Sequence, residues 1–254
     1  MAIIVIMGRG GTGKTSLVAL ATKYLIEIEQ TPLLLIDLDP DQNLGEMVGA
    51  DMTELNKSSI SDLVSATFLE DGGTLVGIPP SERIESKIWE KGLYEGEDFD
   101  FLTIGTKWVE GCYCLPNAAL KKALEGLTRN YRHVLMDSPA GLEHLNRRVA
   151  TSVDDIFDVV DPSKKSFEHV TRAYKLVKEV KIEFKNFYVV GGYRFPKNLE
   201  EELVKETGLN LLGKVEYDEK LEEYVLAGKS LLEIPSTTPA YLSVEEIMEK
   251  AGYR

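Results

Sequence analysis

The chain has 254 residues, 43% of them hydrophobic, which is enough to bury one large core, and 42 acidic against 29 basic residues leave a formal net charge of −13. A charge of that sign repels nucleic-acid backbones and anionic membrane surfaces, so neither polymer is an expected partner. No apolar run approaches membrane-spanning length and no basic leader precedes the first apolar segment, a combination that predicts a cytoplasmic protein.

The run Ala2 to Met7 reads as a buried strand. It leads directly into Gly8-Arg9-Gly10-Gly11-Thr12-Gly13-Lys14-Thr15-Ser16 and then into a helix-period stretch. Glycines in such a turn let backbone N–H groups converge on phosphate oxygens, Lys14 reaches the β and γ phosphates, and the Thr15 hydroxyl suits Mg²⁺. The loop therefore predicts a bound nucleoside polyphosphate. Arg9 has two readings: a surface cation paired with a local carboxylate, or a group that crosses a dimer interface to neutralise transition-state charge on the partner's nucleotide.

A second strand, Leu33 to Ile36, runs into Asp37-Leu38-Asp39-Pro40-Asp41. Strand alternation would aim Asp37 and Asp39 the same way, toward the phosphate end of the sheet. Asp39, extended before Pro40, is the candidate for positioning or deprotonating an attacking water; a strand-end turn that favours Asp and Pro is the alternative. Residues 44–100 break the rhythm with mixed helical pieces and read as an insertion packed at one end of the sheet, within a single domain spanning 1–254. Trp89 and Trp108 read as packing residues.

After a strand at Phe101 to Ile104 comes Cys112-Tyr113-Cys114, which holds both cysteines of the chain. A local disulfide or plain packing are two explanations. A third is that two thiolates make half of a tetrahedral site, completed across the axis of a twofold homodimer and suited to Zn, Ni or an iron–sulfur cluster. The strand His133 to Met136 then delivers Asp137 to the sheet mouth, where it can hold a metal-bound water, and Gly141 follows as a sensor of the γ phosphate. His144 reads as structural. Further strands at Ile156 to Val160, Phe187 to Val190 and Leu211 to Val215, and helices at Leu221 to Leu226 and Val244 to Met248, complete the pattern. Strands alternating with helices predict an α/β fold, a P-loop NTPase with a mostly parallel, doubly covered central sheet.

These residues resemble the nickel-insertion ATPases that mature carbon monoxide dehydrogenase, within the partitioning and nitrogenase iron-protein group of dimeric P-loop ATPases. The resemblance rests on Gly8 to Ser16, Asp37 to Asp41, Gly111-Cys112-Tyr113-Cys114, and Asp137 followed by Ala140-Gly141-Leu142-Glu143-His144-Leu145. It implies an ATP-hydrolysing homodimer that cycles between ATP and ADP. Cys112 and Cys114 of both subunits would hold Ni²⁺ or Zn²⁺ at the dimer interface, and hydrolysis would release nickel toward the dehydrogenase. Three places depart from that pattern: Arg9 stands where the group has a lysine, Gly191-Gly192 where relatives place an asparagine, and Val215-Glu216-Tyr217-Asp218 where they commonly show a proline beside the base. Tyr193 or Tyr217 can stack on a purine instead.

Other function classes compete. A partitioning or positioning switch would act on DNA or a membrane, yet the stretch Ser243 to Arg254 carries Glu245, Glu246 and Glu249, acidic for a membrane tail. An electron-transfer ATPase would bridge an iron–sulfur cluster, and a divergent regulator would bind nucleotide with little turnover.

Overall fold

Strands buried on both faces need continuous apolar runs, and β2 (Leu33–Asp37) supplies one, with all five residues buried. The computed structural model describes residues 1–67, 78–105, 114–139, 152–179 and 182–254. Within these lie β1 (Ala2–Gly8), β3 (Tyr94–Glu95), β4 (Phe99–Thr103), β5 (His133–Asp137), β6 (Ser152–Val160), β7 (Glu183–Gly191) and β8 (Asn210–Lys214). With β2 they form one eight-stranded sheet in the order β3-β4-β2-β5-β1-β6-β7-β8. Every neighbouring pair is parallel except β3 with β4.

Helices cover both faces. On one lie α1 (Lys14–Glu27), the short α2 (Leu44–Val48) and α9 (Pro239–Ala251), packed on Ile4, Ile6, Leu33, Leu35 and Phe157. On the other lie α3 (Ile60–Ser65), α4 (Pro80–Lys87), α5 (Cys114–Thr128), α6 (Lys164–Glu179) and α7 (Glu200–Thr207), packed on Val5, Met7, Leu34, Ile36 and Ile156. The alternation of β1 explains the split, since Ile4 and Ile6 face one layer while Val5 and Met7 face the other. The remaining helix, α8 (Glu219–Leu226), buries no residue fully and rests Leu221 and Tyr224 on the α1 layer.

The expected mostly parallel, doubly covered P-loop NTPase fold is therefore what the chain adopts. Within residues 44–100, α2 joins the layer of α1, α3 and α4 join the opposite one, and β3 and β4 form one edge of the sheet.

Topology fixes where a ligand can sit. The chain builds outward on one side of β1 through β2 and β4, returns to place β5 between β2 and β1, then crosses to the other side at β6. The carboxyl end of β1 is thus at the switch point of the sheet, where a crevice opens.

Candidate nucleotide-binding site

The glycine-rich loop leaves β1 at that crevice. Gly8 (φ 141°), Gly11 (φ 74°) and Gly13 (φ 93°) all lie in backbone regions disfavoured for L side chains. At Gly8 the reason is also steric: a Cβ there would lie 2.3 Å from the Val159 carbonyl oxygen of β6. The turn ends in α1, whose first backbone N–H groups have no helical partner and face the loop. Lys14 is only 6% exposed, and its ammonium donates to the Arg9 carbonyl at 3.1 Å, as does the Thr12 hydroxyl at 2.9 Å. Both donors fold onto the loop's own backbone, the position from which a phosphate would draw them.

Parallel pairing brings the acidic residues together. Asp37 and Asp137 are register partners at the ends of β2 and β5. Burial, followed by the Asp137 charge, pushes Asp37 up to about 8. Its two oxygens accept from the backbone N–H groups of Asp39 (2.8 Å) and Leu44 (3.0 Å), so Asp37 shapes the turn into α2. Asp39 follows two residues later, and its charge acts on both Asp37 and Asp137. Asp39 is half-buried, has one oxygen on the Asp41 N–H (3.0 Å), and lies near enough to raise the pKa of Asp137.

Asp137 is 1% exposed, and among the described residues neither carboxylate oxygen has a well-formed hydrogen bond, although the Thr15 hydroxyl lies beside it as a donor; the Ser138 hydroxyl has no partner among them either. Burial pushes Asp137 up to about 6, opposed by the neighbouring Thr15 hydroxyl and the Lys14 ammonium. A buried carboxylate with no well-formed hydrogen bond among the described residues, next to a hydroxyl and a lysine at a phosphate loop, fits a hard cation with oxygen ligands. Thr15, Asp137, Lys14 and Asp39 are thus brought into one cluster.

Arg9 lies on the other side of the loop. Its guanidinium donates to Asp161 Oδ2 (3.1 Å) and to the Ser163 hydroxyl (2.9 Å), just before α6. In this arrangement Arg9 is paired with a carboxylate of its own chain, the first of its two readings, and the partner is Asp161.

Asp158 is a further site neighbour. It pairs in register with Met7, is fully buried, and both oxygens lack a hydrogen-bond partner among the described residues. Burial pushes it up to about 7 against the opposing pull of Lys14. The signal in the sequence is a carboxylate inside an apolar strand run. A folded-state pKa raised above the ordinary carboxylate range makes the folded form bind the proton more tightly. The stability from Asp158 is then present below about pH 4 and lost as pH climbs toward 7. Relative to Asp158→Asn, nucleotide-free wild type should lose a few kcal/mol over that range, read as diverging urea midpoints; parallel curves would rule this out.

Beside the loop opens a cavity of about 380 Å³, bounded by Thr12, Gly13 and Ser16 on one side and by Tyr193, Tyr217 and α8 on the other. Cys112, Gly141, Trp108 and His144 lie outside the described residues, and Cys114 is placed only as the first residue of α5. Among the described residues, no three His, Cys, Asp or Glu side chains gather as a metal cage. No helix among them is long and apolar enough to cross a membrane.

Comparison with known proteins adds to this geometry. The sequence model of a family described as an AAA domain, AAA_31, matches residues 1–189. The chain is 35% identical over 250 residues to an uncharacterized ATP-binding protein of Methanocaldococcus jannaschii, covering 98% of this chain and 97% of that protein. It is 25% identical over 262 residues to the carbon monoxide dehydrogenase accessory protein CooC of Rhodospirillum rubrum, covering 98% and 97%. Among solved structures, the MinD cell division protein of Aquifex aeolicus superposes with a TM-score of 0.71 at 22% identity, covering 99% of this chain and 96% of that one. That last likeness bears on the fold.

Proposed function

This chain belongs to the AAA domain family AAA_31, and from that premise we propose that it is a Mg²⁺-dependent ATPase that works as a homodimer and carries nickel toward carbon monoxide dehydrogenase. The observation that carries the ATPase half is Asp137: a buried carboxylate with no well-formed hydrogen bond among the described residues, set against the Thr15 hydroxyl and the Lys14 ammonium at the switch point of the sheet. When bound, Mg²⁺ neutralises charge on the β and γ phosphates. The residues do the rest. Loop N–H groups and Lys14 cradle the phosphates, Thr15 and Asp137 hold the cation, and Asp39 orients the attacking water. Gly141 is assigned to the γ phosphate by its place after Asp137 in the sequence.

The nickel half rests on the Cys112-x-Cys114 spacing and on the 25% identity with CooC along nearly the whole of both chains. Two thiolates from each subunit make a four-sulfur cage for a soft cation, with Ni²⁺ or Zn²⁺ as the cargo. Binding of nucleotide at both subunits would draw the cage closed.

Anoxic purification followed by metal analysis and phosphate-release assays tests both halves. Wild type should carry about one metal per dimer when offered Ni²⁺. Cys112→Ser with Cys114→Ser should lose that metal and keep Mg²⁺-dependent phosphate release. Equal nickel in the two proteins sinks the carrier reading. Absence of phosphate release from wild type sinks the ATPase reading. Retention on DNA or on anionic vesicles in the ATP state would instead favour a partitioning or positioning switch.

A further inference from the structure

Asp158 interrupts an apolar strand at a place where its neighbours in register, Met7 of β1 and Val189 of β7, are both fully buried. Strand alternation sets it on the face of Ile156 and Val160, in the layer of α6, while Asp137 shares the face of Leu135, in the layer of α1. The two carboxylates thus lie on opposite faces of the sheet, and Asp158 stands apart from the Thr15 and Asp137 cluster. A buried carboxylate whose oxygens have no hydrogen-bond partner among the described residues costs stability that an aliphatic side chain in the same place would not.

Few charges surround it. The flanking strands offer Val5 and Met7 from β1, and Phe187 and Val189 from β7, none of them titratable. α6 carries the exposed Arg172 and the half-buried His169, whose imidazole is held below the ordinary histidine range by burial and then by Arg172, Arg9 and Lys14. His169 therefore brings no charge at or above neutral pH. The phosphate loop supplies Arg9, which is engaged with Asp161, and Lys14, whose ammonium opposes the effect of burial on Asp158.

Lys14 faces two ways. Its direct partner in this fold is the neutral Arg9 carbonyl at 3.1 Å, and its charge acts through space on Asp137 on one face and on Asp158 on the other. A bound polyphosphate changes that balance twice: it takes over the ammonium, and it sets its own negative charge at the head of β1. Both changes act against an ionised Asp158.

We propose that Asp158 is a positioning residue that balances the Lys14 ammonium in the nucleotide-free protein and takes up one proton from solvent when phosphates claim that ammonium, which couples nucleotide binding to protonation. This role rests on the nucleotide-site reading above and adds a proton to its binding step. The O–H bond forms on the Asp158 carboxylate, the solvent buffer gives up the proton, and no other bond changes. Nucleotide affinity then falls as pH rises above about 7, where the nucleotide-free protein holds Asp158 increasingly ionised.

The test is calorimetry of ADP binding with saturating Mg²⁺ between about pH 7 and about pH 8, in buffers of differing ionisation enthalpy, on wild type, Asp158→Asn and Asp158→Leu. Asp37 and Asp137 are present in all three proteins, so the difference between them isolates Asp158. Wild type should take up about half a proton or more per site beyond either variant. Its dissociation constant should rise relative to the variants by up to about tenfold per pH unit, so that both variants bind ADP more tightly than wild type at about pH 8. Equal proton uptake in the three proteins overturns the role, as does weaker binding by both variants at every pH, the result expected of packing alone. A wild-type affinity that stays level across this range overturns it without recourse to a variant. If ADP binds none of the three, this role and the nucleotide-site reading fall together.

Discussion

Lys14→Ala is expected to lower Mg²⁺-dependent ATP turnover by roughly 10²–10³-fold, the cost of removing one preorganised donor from developing phosphate charge. In the nucleotide-free fold Lys14 is 6% exposed and, among the described residues, its ammonium donates to the Arg9 carbonyl, so it is held at the loop yet easily redirected. Its second role is electrostatic. The same ammonium lowers the pKa of both Asp137 and Asp158, two buried carboxylates. Removing it raises both further, which weakens the cation site as well as the phosphate cradle. Nucleotide affinity and turnover should therefore fall together, and Lys14→Arg should restore little, since a planar fork does not replace a compact ammonium in a closed loop. Phosphate release measured at saturating ATP decides this. A turnover within threefold of wild type in Lys14→Ala would remove the catalytic role assigned to the loop.

The parts of the molecule legible in the sequence are those whose physics is local. The glycine loop announces itself because strand, turn chemistry and helix follow one another within Ala2 to Glu27. The central strands announce themselves because burial on both faces leaves unbroken apolar runs, as in Leu33 to Ile36 and His133 to Met136. The strand starts were hidden where polar residues find distant partners. β6 begins at Ser152, four residues before its apolar run, because Asp155 is held by the Tyr253 hydroxyl and the Asn186 amide, and Asp154 accepts from Ile3 N–H. The two-residue edge strand Tyr94–Glu95 carries no periodicity at all. Within the site, Asp161 and Ser163 meet Arg9 only because β6 lies beside β1, about 150 residues apart in the chain. Spacing alone carries no trace of such a contact. The cavity wall formed by α8 is hidden for the same reason, since it joins Leu221 and Tyr217 to the loop of β1.

Arg9→Ala is expected to reduce turnover by about 10³-fold or more while leaving ATP affinity nearly unchanged, if the guanidinium serves the nucleotide of the other subunit as a trans-acting finger. Its present contact does not forbid that role. The Arg9–Asp161 pair has 37% and 29% exposed side chains, a setting in which an ion pair contributes about 0–1 kcal/mol. A triphosphate arriving across a twofold interface offers denser charge and bidentate geometry, so the guanidinium can exchange one partner for the other. Asp161→Asn should accordingly leave turnover equal to wild type or slightly higher, whereas an essential cis pair would make it fall. Mixing gives the sharper result. Arg9→Ala and Lys14→Ala are each inactive alone, but in a mixed dimer the Lys14→Ala subunit lends Arg9 to the intact phosphate loop of its partner. At equal concentrations half of the dimers are mixed and each holds one complete site, so about a quarter of the wild-type rate should return. Sedimentation confirms that the mixed dimers form. If they form and the rate stays at background, Arg9 acts within its own chain, and the twofold arrangement loses its catalytic purpose.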